Sequence, residues 1–196
     1  MFRSKRKKRK IVVGMDEAGR GPLAGPVVAG AVCFTSPRLK FAGLKDSKRL
    51  SAKQRERFYK LLTGNPKVKW ATGKSSEKVI DKINILEATR LAMKKAVLKL
   101  GVKADLLIVD GLMTLDVGLP QRALVKADEK INVCKAASII AKVTRDRIMV
   151  KLDQRYPGYG FYQHKGYPTR LHYRMLREHG PCRIHRRTFR LLKRFD

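Results

Sequence analysis

The 196-residue sequence contains only three cysteines, one tryptophan, four histidines and 16 acidic residues. Each scarcity excludes something. Cys33, Cys134 and Cys182 are odd in number, widely spaced and without a C-x-x-C pair, which argues against a disulfide framework and a zinc knuckle and leaves reduced thiols. His164, His172, His179 and His185 fall late in the chain, match no standard zinc spacing, and read as phosphate contacts or packing groups. No apolar run approaches the roughly 18 residues of a membrane span. No apolar stretch follows the N-terminal charges as a secretory signal requires. The expectation is a soluble, cytoplasmic protein with no membrane contact. Its 43% hydrophobic content and a length near the top of the roughly 100–200 residues common for one domain predict one sizeable core.

What the chain has in excess is positive charge. Lys and Arg number 46 against 16 Asp and Glu, a net charge of +30. Seven of these charges lie in "RSKRKKRK", Arg3 to Lys10, so that residues 1–10 read as a basic, disordered arm and residues 11–196 still carry +23. Such a surplus calls for a polyanion. The basic segments carry no sustained apolar face, so nucleic acid is favoured over a membrane surface.

The hydrophobic pattern alternates between strand and helix. "IVVGMD" (11–16) and "VVAGAVCF" (27–34) predict neighbouring strands around a Gly/Pro loop, and "VKWATG" (68–73) a third. "SAKQRERFYKLLTG" (51–64) opens on a capping box, Ser51 with Gln54, and closes on glycine, which predicts a helix. A second helix is predicted over 84–101, capped by Asn84 with Glu87 at the box position and stopped by Gly101. "ADLLIVDG" (104–111) predicts a strand buried on both faces and ending at Asp110, and "RALVKAD" (122–128) a further strand ending at Asp128. A long helix follows over about 132–155 and breaks at Pro157-Gly158. "YGFYQHKGYPT" reads as a loop, Thr169 caps a short helix to about His179, and the basic tail "RIHRRTFRLLKRFD" is expected to be helical. Alternating strands and helices imply an α/β layer fold with functional groups at the strand ends.

Those strand ends carry acids. Asp16-Glu17, Asp110 and Asp128 each follow an apolar run that draws the backbone into the core. Carboxylates brought together repel one another unless divalent cations neutralise them. A carboxylate set without histidine or cysteine points to a hard metal, Mg²⁺ or Mn²⁺. A pair of such ions roughly 4 Å apart is suited to phosphodiester hydrolysis. Beside these acids, Gly19-Arg20-Gly21 reads either as an ordinary turn or as a backbone able to approach a sugar edge, with Arg20 meeting a phosphate.

In order and approximate spacing, "VGMDEAGRGPLAGPVVAGAV", "LKDSKRLS", "LLIVDG", "VKADEKINVCKAASIIAKVTRDR", "HKGYPTRLH" and "IHRRTF" resemble the motifs of bacterial ribonuclease HII, from about Ile11 to Phe189. The resemblance implies a ribonuclease H-like fold, a mixed central β-sheet flanked by helices. It implies Mg²⁺- or Mn²⁺-dependent hydrolysis of RNA in RNA/DNA hybrids and incision 5′ of single ribonucleotides in duplex DNA, leaving a 3′-hydroxyl and a 5′-phosphate. Asp16, Glu17, Asp110 and Asp128 would be the catalytic, metal-binding acids. The Gly19, Arg20 and Gly21 backbone would sense the ribose 2′-hydroxyl. Tyr167 would stack on the deoxyribose after the ribonucleotide, or else pack beneath a loop. Lys48, Ser138, Lys142 and Lys165 would line the substrate groove. Lys142 and Arg145 read equally well as a solvated helix face, and Asp46 and Asp146 as capping or pairing groups.

Three positions depart from that pattern: Ala127 replaces a common glycine before Asp128, Ile131 a frequent serine, and Lys45 a neutral polar residue. The chain also ends soon after "IHRRTF", without the C-terminal extension of some members. A monomer without an obligate protein partner is expected, acting in ribonucleotide removal during DNA replication and repair. The competing readings are the related ribonuclease HIII and a non-catalytic basic nucleic-acid-binding protein, which explains the charge but not the acids at strand ends.

Overall fold

Residues 10–36 and 38–189 are described in a computed structural model; the arm before Lys10 and the tail after Phe189 lie outside the described residues. Five strands form one mixed sheet in the order β3-β2-β1-β4-β5. They are β1 (Val12–Ala18), β2 (Val27–Phe34), β3 (Val68–Ser75), β4 (Leu106–Asp110) and β5 (Gln121–Leu124). The β1–β2 and β2–β3 pairs are antiparallel, the β1–β4 and β4–β5 pairs parallel. The helices are α1 (Ala52–Thr63), α2 (Glu77–Leu100), α3 (Ala127–Lys130), α4 (Asn132–Arg155), α5 (Phe161–His164) and α6 (Arg170–His179).

The two-residue period of the strands sorts their side chains between two helical layers. Val13, Met15, Ala29, Ala31, Leu107 and Val109 join Ala88, Ala92, Met93 and Ala96 of α2 in one core. Val32 and Val68 meet Ala136, Ile139, Ile140 and Val143 of α4 and Leu62 of α1 in the other. Each large apolar side chain removed from water in this way contributes roughly 1.5–3 kcal/mol. The α4 layer sits close. A Cβ on Gly30 would stand 2.5 Å from the Ala137 carbonyl oxygen, and one on Gly14 would collide with the backbone at Val133. Asp16, two residues beyond Gly14, therefore projects on the same side, beneath α4. Asp110, two beyond the Ile108 that packs with Val133 and Cys134, does so from the neighbouring strand.

Local signals account for many of the boundaries. Ser51 and Gln54 form the reciprocal capping box of α1, Thr169 accepts from the His172 backbone N–H at the start of α6, and α4 occupies 132–155 as its periodicity predicts. Five expectations are revised. Helix α2 begins at Glu77 behind a Ser76 cap, and Asn84 is a kink inside it at φ 66°, where its side chain accepts from the N–H groups of Leu86 and Glu87. Strand β4 is not buried on both faces: Leu107 and Val109 are buried, whereas Ile108 and Asp110 are half-covered because only the first turn of α4 reaches them. Asp128 does not end a strand; β5 stops at Leu124, Lys126 turns the chain at φ 60°, and Asp128 rides on the single turn α3. In the tail, residues 183–189 are not helical, because they pair with the loop before β2 through Arg186 N–H to Leu23 O, Gly25 N–H to Ile184 O and an Ala24–His185 bridge. The loop expected over 159–169 also contains the turn α5.

Candidate active site

Strand β1, strand β4 and the turn α3 deliver Asp16, Asp110 and Asp128 to one point, each offering a carboxylate oxygen within 4.8 Å of the others. Local bonds aim them: Asp16 accepts from the Glu17 backbone N–H at 2.7 Å, and Asp110 from the Ala127 N–H at 2.7 Å. The second bond ties the end of β4 to the start of α3, and Ala127 serves there in helical conformation, since the left-handed angle falls on Lys126. Ile131 stands at the start of α4 without a side-chain cap and packs instead with Ala127, Val133 and Cys134. Glu17 lies outside the close triad but lines, with Asp16 and Asp110, a cavity of about 260 Å³. Its Oε1 accepts from Arg20 at 3.3 Å, while its Oε2 is buried without a hydrogen-bond partner.

The acids are electrostatically uncomfortable. Burial and then the neighbouring Glu17 push the Asp16 carboxyl well above its ordinary range, with the Ser138 hydroxyl working the other way. Burial also raises Glu17, against the pull of Arg20. Asp128 is raised by burial, Asp110 and Asp46, and is relieved in part by Lys48, whose Nζ lies 3.3 Å from its Oδ2. Burial opposes the charge on Lys48, but Asp128 and Asp46 outweigh it and its pKa moves up. A buried set of oxygen donors that repel one another, with one orphaned carboxylate oxygen, fits a hard divalent cation.

Across the cavity, Gly19, Arg20 and Gly21 form a ledge. Gly19 adopts φ 98°, and a Cβ on it would strike the Arg145 side chain, so no other residue fits. A Cβ on Gly21 would meet nothing within 4 Å, so packing does not demand its glycine and the space before it is free for a ligand.

Two fully buried arginines hold this loop from behind. Arg145 is not on a solvated face: it is 0% exposed and donates to the carbonyls of Pro26, Ala24 and Lys165 at 2.9, 3.1 and 3.0 Å. Arg186, also 0% exposed, donates to Gly19, Arg20 and Gly25. Neither was legible as a site residue, since a lysine or arginine carries little signal in a chain of charge +30.

The histidines prove to be packing groups. His164 and His172 stack at 4.3 Å, and His172 Nε2 meets His185 Nε2 at 3.0 Å. Gly166 N–H donates to His164 Nδ1, and His172 Nδ1 reaches the Tyr167 carbonyl at 2.9 Å, which fixes the loop carrying Tyr167. All three are held neutral: burial drives His164 down, and His172 and His185 down to about 4.

Lys48, Ser138, Lys142 and Tyr167 all line the acidic cavity. Ser138 is buried, its hydroxyl within 2.7 Å of the Ser47 Oγ and 3.2 Å of Asp46. Asp46 caps the turn at Ser47–Arg49, and Asp146 pairs with Lys142 at 2.8 Å. The Tyr167 ring has the Lys142 Nζ 5.3 Å and the Arg145 guanidinium 5.7 Å from its centroid. Lys165 is not in this cavity; it lines an adjoining groove of about 830 Å³ with Lys142, Tyr167, Arg55, Arg147 and Lys151. Arg55, shared by both, was missed because it reads as one more exposed charge on α1.

Residues 13–192 match the family model described as Ribonuclease HII. The chain belongs to the ribonuclease HII family. It is therefore a hydrolase of the ribonuclease H type, and the non-catalytic and ribonuclease HIII readings fall. It is 50% identical over 184 residues to a ribonuclease HII of Nitrosococcus oceani, covering 94% of this chain and 90% of that one. Among solved structures it is similar to the ribonuclease H2 of Pyrococcus horikoshii OT3, with TM-score 0.77 and 32% identity over 94% of this chain and 96% of the other. It is also similar to the ribonuclease HII solved in complex with PCNA from Archaeoglobus fulgidus, with TM-score 0.78 and 28% identity over 92% and 95%. The five-stranded mixed sheet is thus the ribonuclease H-like fold. Among the described residues no helix is long and apolar enough to cross a membrane.

Proposed function

We propose that this ribonuclease HII hydrolyses the RNA strand of RNA/DNA hybrids and cuts duplex DNA on the 5′ side of an embedded ribonucleotide, leaving a 3′-hydroxyl and a 5′-phosphate. The observation that carries the reading is the cavity that Asp16 and Asp110 of the Asp16–Asp110–Asp128 triad share with the Gly19–Gly21 ledge. Asp16, Asp110 and Asp128 would hold Mg²⁺ or Mn²⁺, with the orphaned Glu17 oxygen completing the donor set. A bound pair of such ions supplies an activated water and charge stabilisation at the leaving oxygen.

The chain's own residues bind and orient. The ledge backbone reads the ribose 2′-hydroxyl, the group that distinguishes RNA from DNA. Arg20, Lys48 and Lys142 neutralise phosphates around the scissile bond, and Ser138 steadies the wall beside Asp16. Tyr167, its ring pinned by the cations of Lys142 and Arg145, stacks on the deoxyribose that follows. Lys165 and its groove take the duplex beyond. We place the enzyme in the cytoplasm as one catalytic domain over residues 11–196 with a basic arm, a monomer without an obligate protein partner, removing ribonucleotides left by replication. The partnership with PCNA belongs to the archaeal relative.

The test is a DNA duplex with one ribonucleotide, incubated with Mg²⁺ or Mn²⁺ and mapped at single-nucleotide resolution for wild type and Asp16→Asn. A single 5′-side cut, lost by at least about a hundredfold in the variant, is expected, because removing a direct ligand should exceed the loss from removing a supporting group. Cutting on the 3′ side, or undiminished cutting by Asp16→Asn, would overturn the assignment.

A further inference from the structure

The ledge owes its orientation to a residue far away in sequence and absent from the cavity wall. Arg186 is wholly buried, and no carboxylate is its hydrogen-bond partner among the described residues. Instead its guanidinium donates to the carbonyl oxygens of Gly25 (Nε 3.0 Å and Nη2 2.9 Å), Arg20 (Nη1 2.8 Å) and Gly19 (Nη2 2.6 Å). Its ring contact with Phe189 closes the remaining side at 5.1 Å. Burying a charge on neutral acceptors is costly, and burial depresses the pKa of this group to about 9. Such an arrangement calls for a reason beyond filling space, because an apolar side chain fills space at less expense.

Peptide planarity provides the reason. A trans peptide sets its N–H opposite its C=O, and the described chain contains no cis bond. With the Gly19 carbonyl drawn back onto Arg186, the Arg20 N–H of the same peptide is directed away from the guanidinium, toward the cavity. With the Arg20 carbonyl drawn back likewise, the Gly21 N–H is directed the same way. Only a planar fork with several fixed donors can hold two consecutive carbonyls and a third, at Gly25, in one plane of approach; an ammonium is a point donor without that geometry. Gly19, in its left-handed conformation, allows the two planes to line up.

We propose that Arg186 is a positioning residue for ribose recognition: by clamping the Gly19 and Arg20 carbonyls it presents the Arg20 and Gly21 N–H groups to the cavity as a fixed pair of donors for the 2′-hydroxyl oxygen. The inference rests on the proposal that the ledge reads the ribose. Arg186 neither lines the cavity nor belongs to the acid cluster. Its replacement alters selection more than chemistry, so KM rises and discrimination falls while kcat at saturation changes less.

The experiment compares full-length wild type with Arg186→Lys, which keeps the charge, and Arg186→Ala, which opens a cavity for added guanidinium. Two quantities are read. The first is the backbone order parameter of the Arg20 and Gly21 amides in the free protein, expected near 0.85 in wild type and below about 0.6 in Arg186→Lys. The second is the ratio of affinities, by fluorescence anisotropy in Ca²⁺, for a duplex with one ribonucleotide and the same duplex in all-DNA form. That ratio should fall about tenfold or more in both variants, through loss of the ribonucleotide-specific component, and guanidinium but not ammonium should restore it in Arg186→Ala. Rigid amides in Arg186→Lys overturn the inference. Loosened amides with an undiminished ratio show that Arg186 sets the loop while the loop does not read the ribose, which overturns the positioning role and the reading beneath it. If Arg186→Ala fails to fold, Arg186→Lys alone decides through both readouts.

Discussion

Two buried polar regions face each other across the cavity, and they are built on opposite terms. On one side, Asp16, Asp110 and Asp128 crowd like charge into a space of 4.8 Å and leave a Glu17 oxygen without a partner. On the other, Arg145, Arg186 and three histidines are as deeply buried, yet these groups are bonded to backbone carbonyls, to backbone N–H groups or to one another. The first region is unfinished without a cation; the second is complete within the protein. Chemistry belongs where satisfaction is withheld, and positioning where it is complete.

This contrast breaks first at Arg145. Replacing it with Met strips the donor from two buried carbonyls and one part-buried one, and should destabilise the fold by about 3–5 kcal/mol, read as a shifted urea midpoint. A loss below about 1 kcal/mol would mean that water satisfies those carbonyls.

Acid should divide the two regions next. His172 and His185 have folded pKa values of about 4, below the ordinary 6.5, so the unfolded chain binds more protons between those limits and stability falls with falling pH across that window. The expected loss from pH 7 to pH 5 is about 2 kcal/mol for each histidine, and about 4 kcal/mol for the pair. Asp16 acts with the other sign: its raised pKa means that the folded state gains protons first, so stability rises as pH falls toward the unfolded value. In Asp16→Asn that compensation is gone, and the acid loss in EDTA should steepen. Chemical denaturation from pH 7.5 to 5 measures both slopes; parallel slopes would contradict the division.

At neutral pH in EDTA, Asp16→Asn should be more stable than wild type by about 1–2 kcal/mol, because it removes a buried, repelled charge. Calorimetry decides it, and a destabilised variant would mean that the cluster is neutralised without metal. The smallest effect is expected at the surface pair Lys94–Asp116, 3.0 Å apart with Asp116 almost fully exposed. Lys94→Ala should change stability by less than about 0.5 kcal/mol.

Sequence revealed the elements whose signals are local. The Ser51–Gln54 box and the Thr169 cap are written within four residues, and the β1 and β2 runs announce the strand that carries Asp16. Asn84 was readable as a cap but not as a kink, because the preceding turn of α2 depends on packing of Ile80 in the core. Asp128 stands beside Asp16 and Asp110 but not at a strand end, since an alternating "RALVKAD" does not disclose that Lys126 turns the chain. Arg145 and Arg186 were hidden for a deeper reason: all but one of their partners, the Lys165 carbonyl, are backbone oxygens more than 100 residues away, and an oxygen of the main chain leaves no mark in a sequence.

The bond from Arg186 to the Gly19 carbonyl spans 167 residues. Closing a loop of such length costs entropy that grows only with the logarithm of its length, by roughly 0.6 kcal/mol per doubling. The basic charge, by contrast, is present in every unfolded or half-grown chain. In the reading proposed above, the basic charge is spread along the whole chain, whereas the clamp on the ledge exists only once the segment around residue 186 is in place.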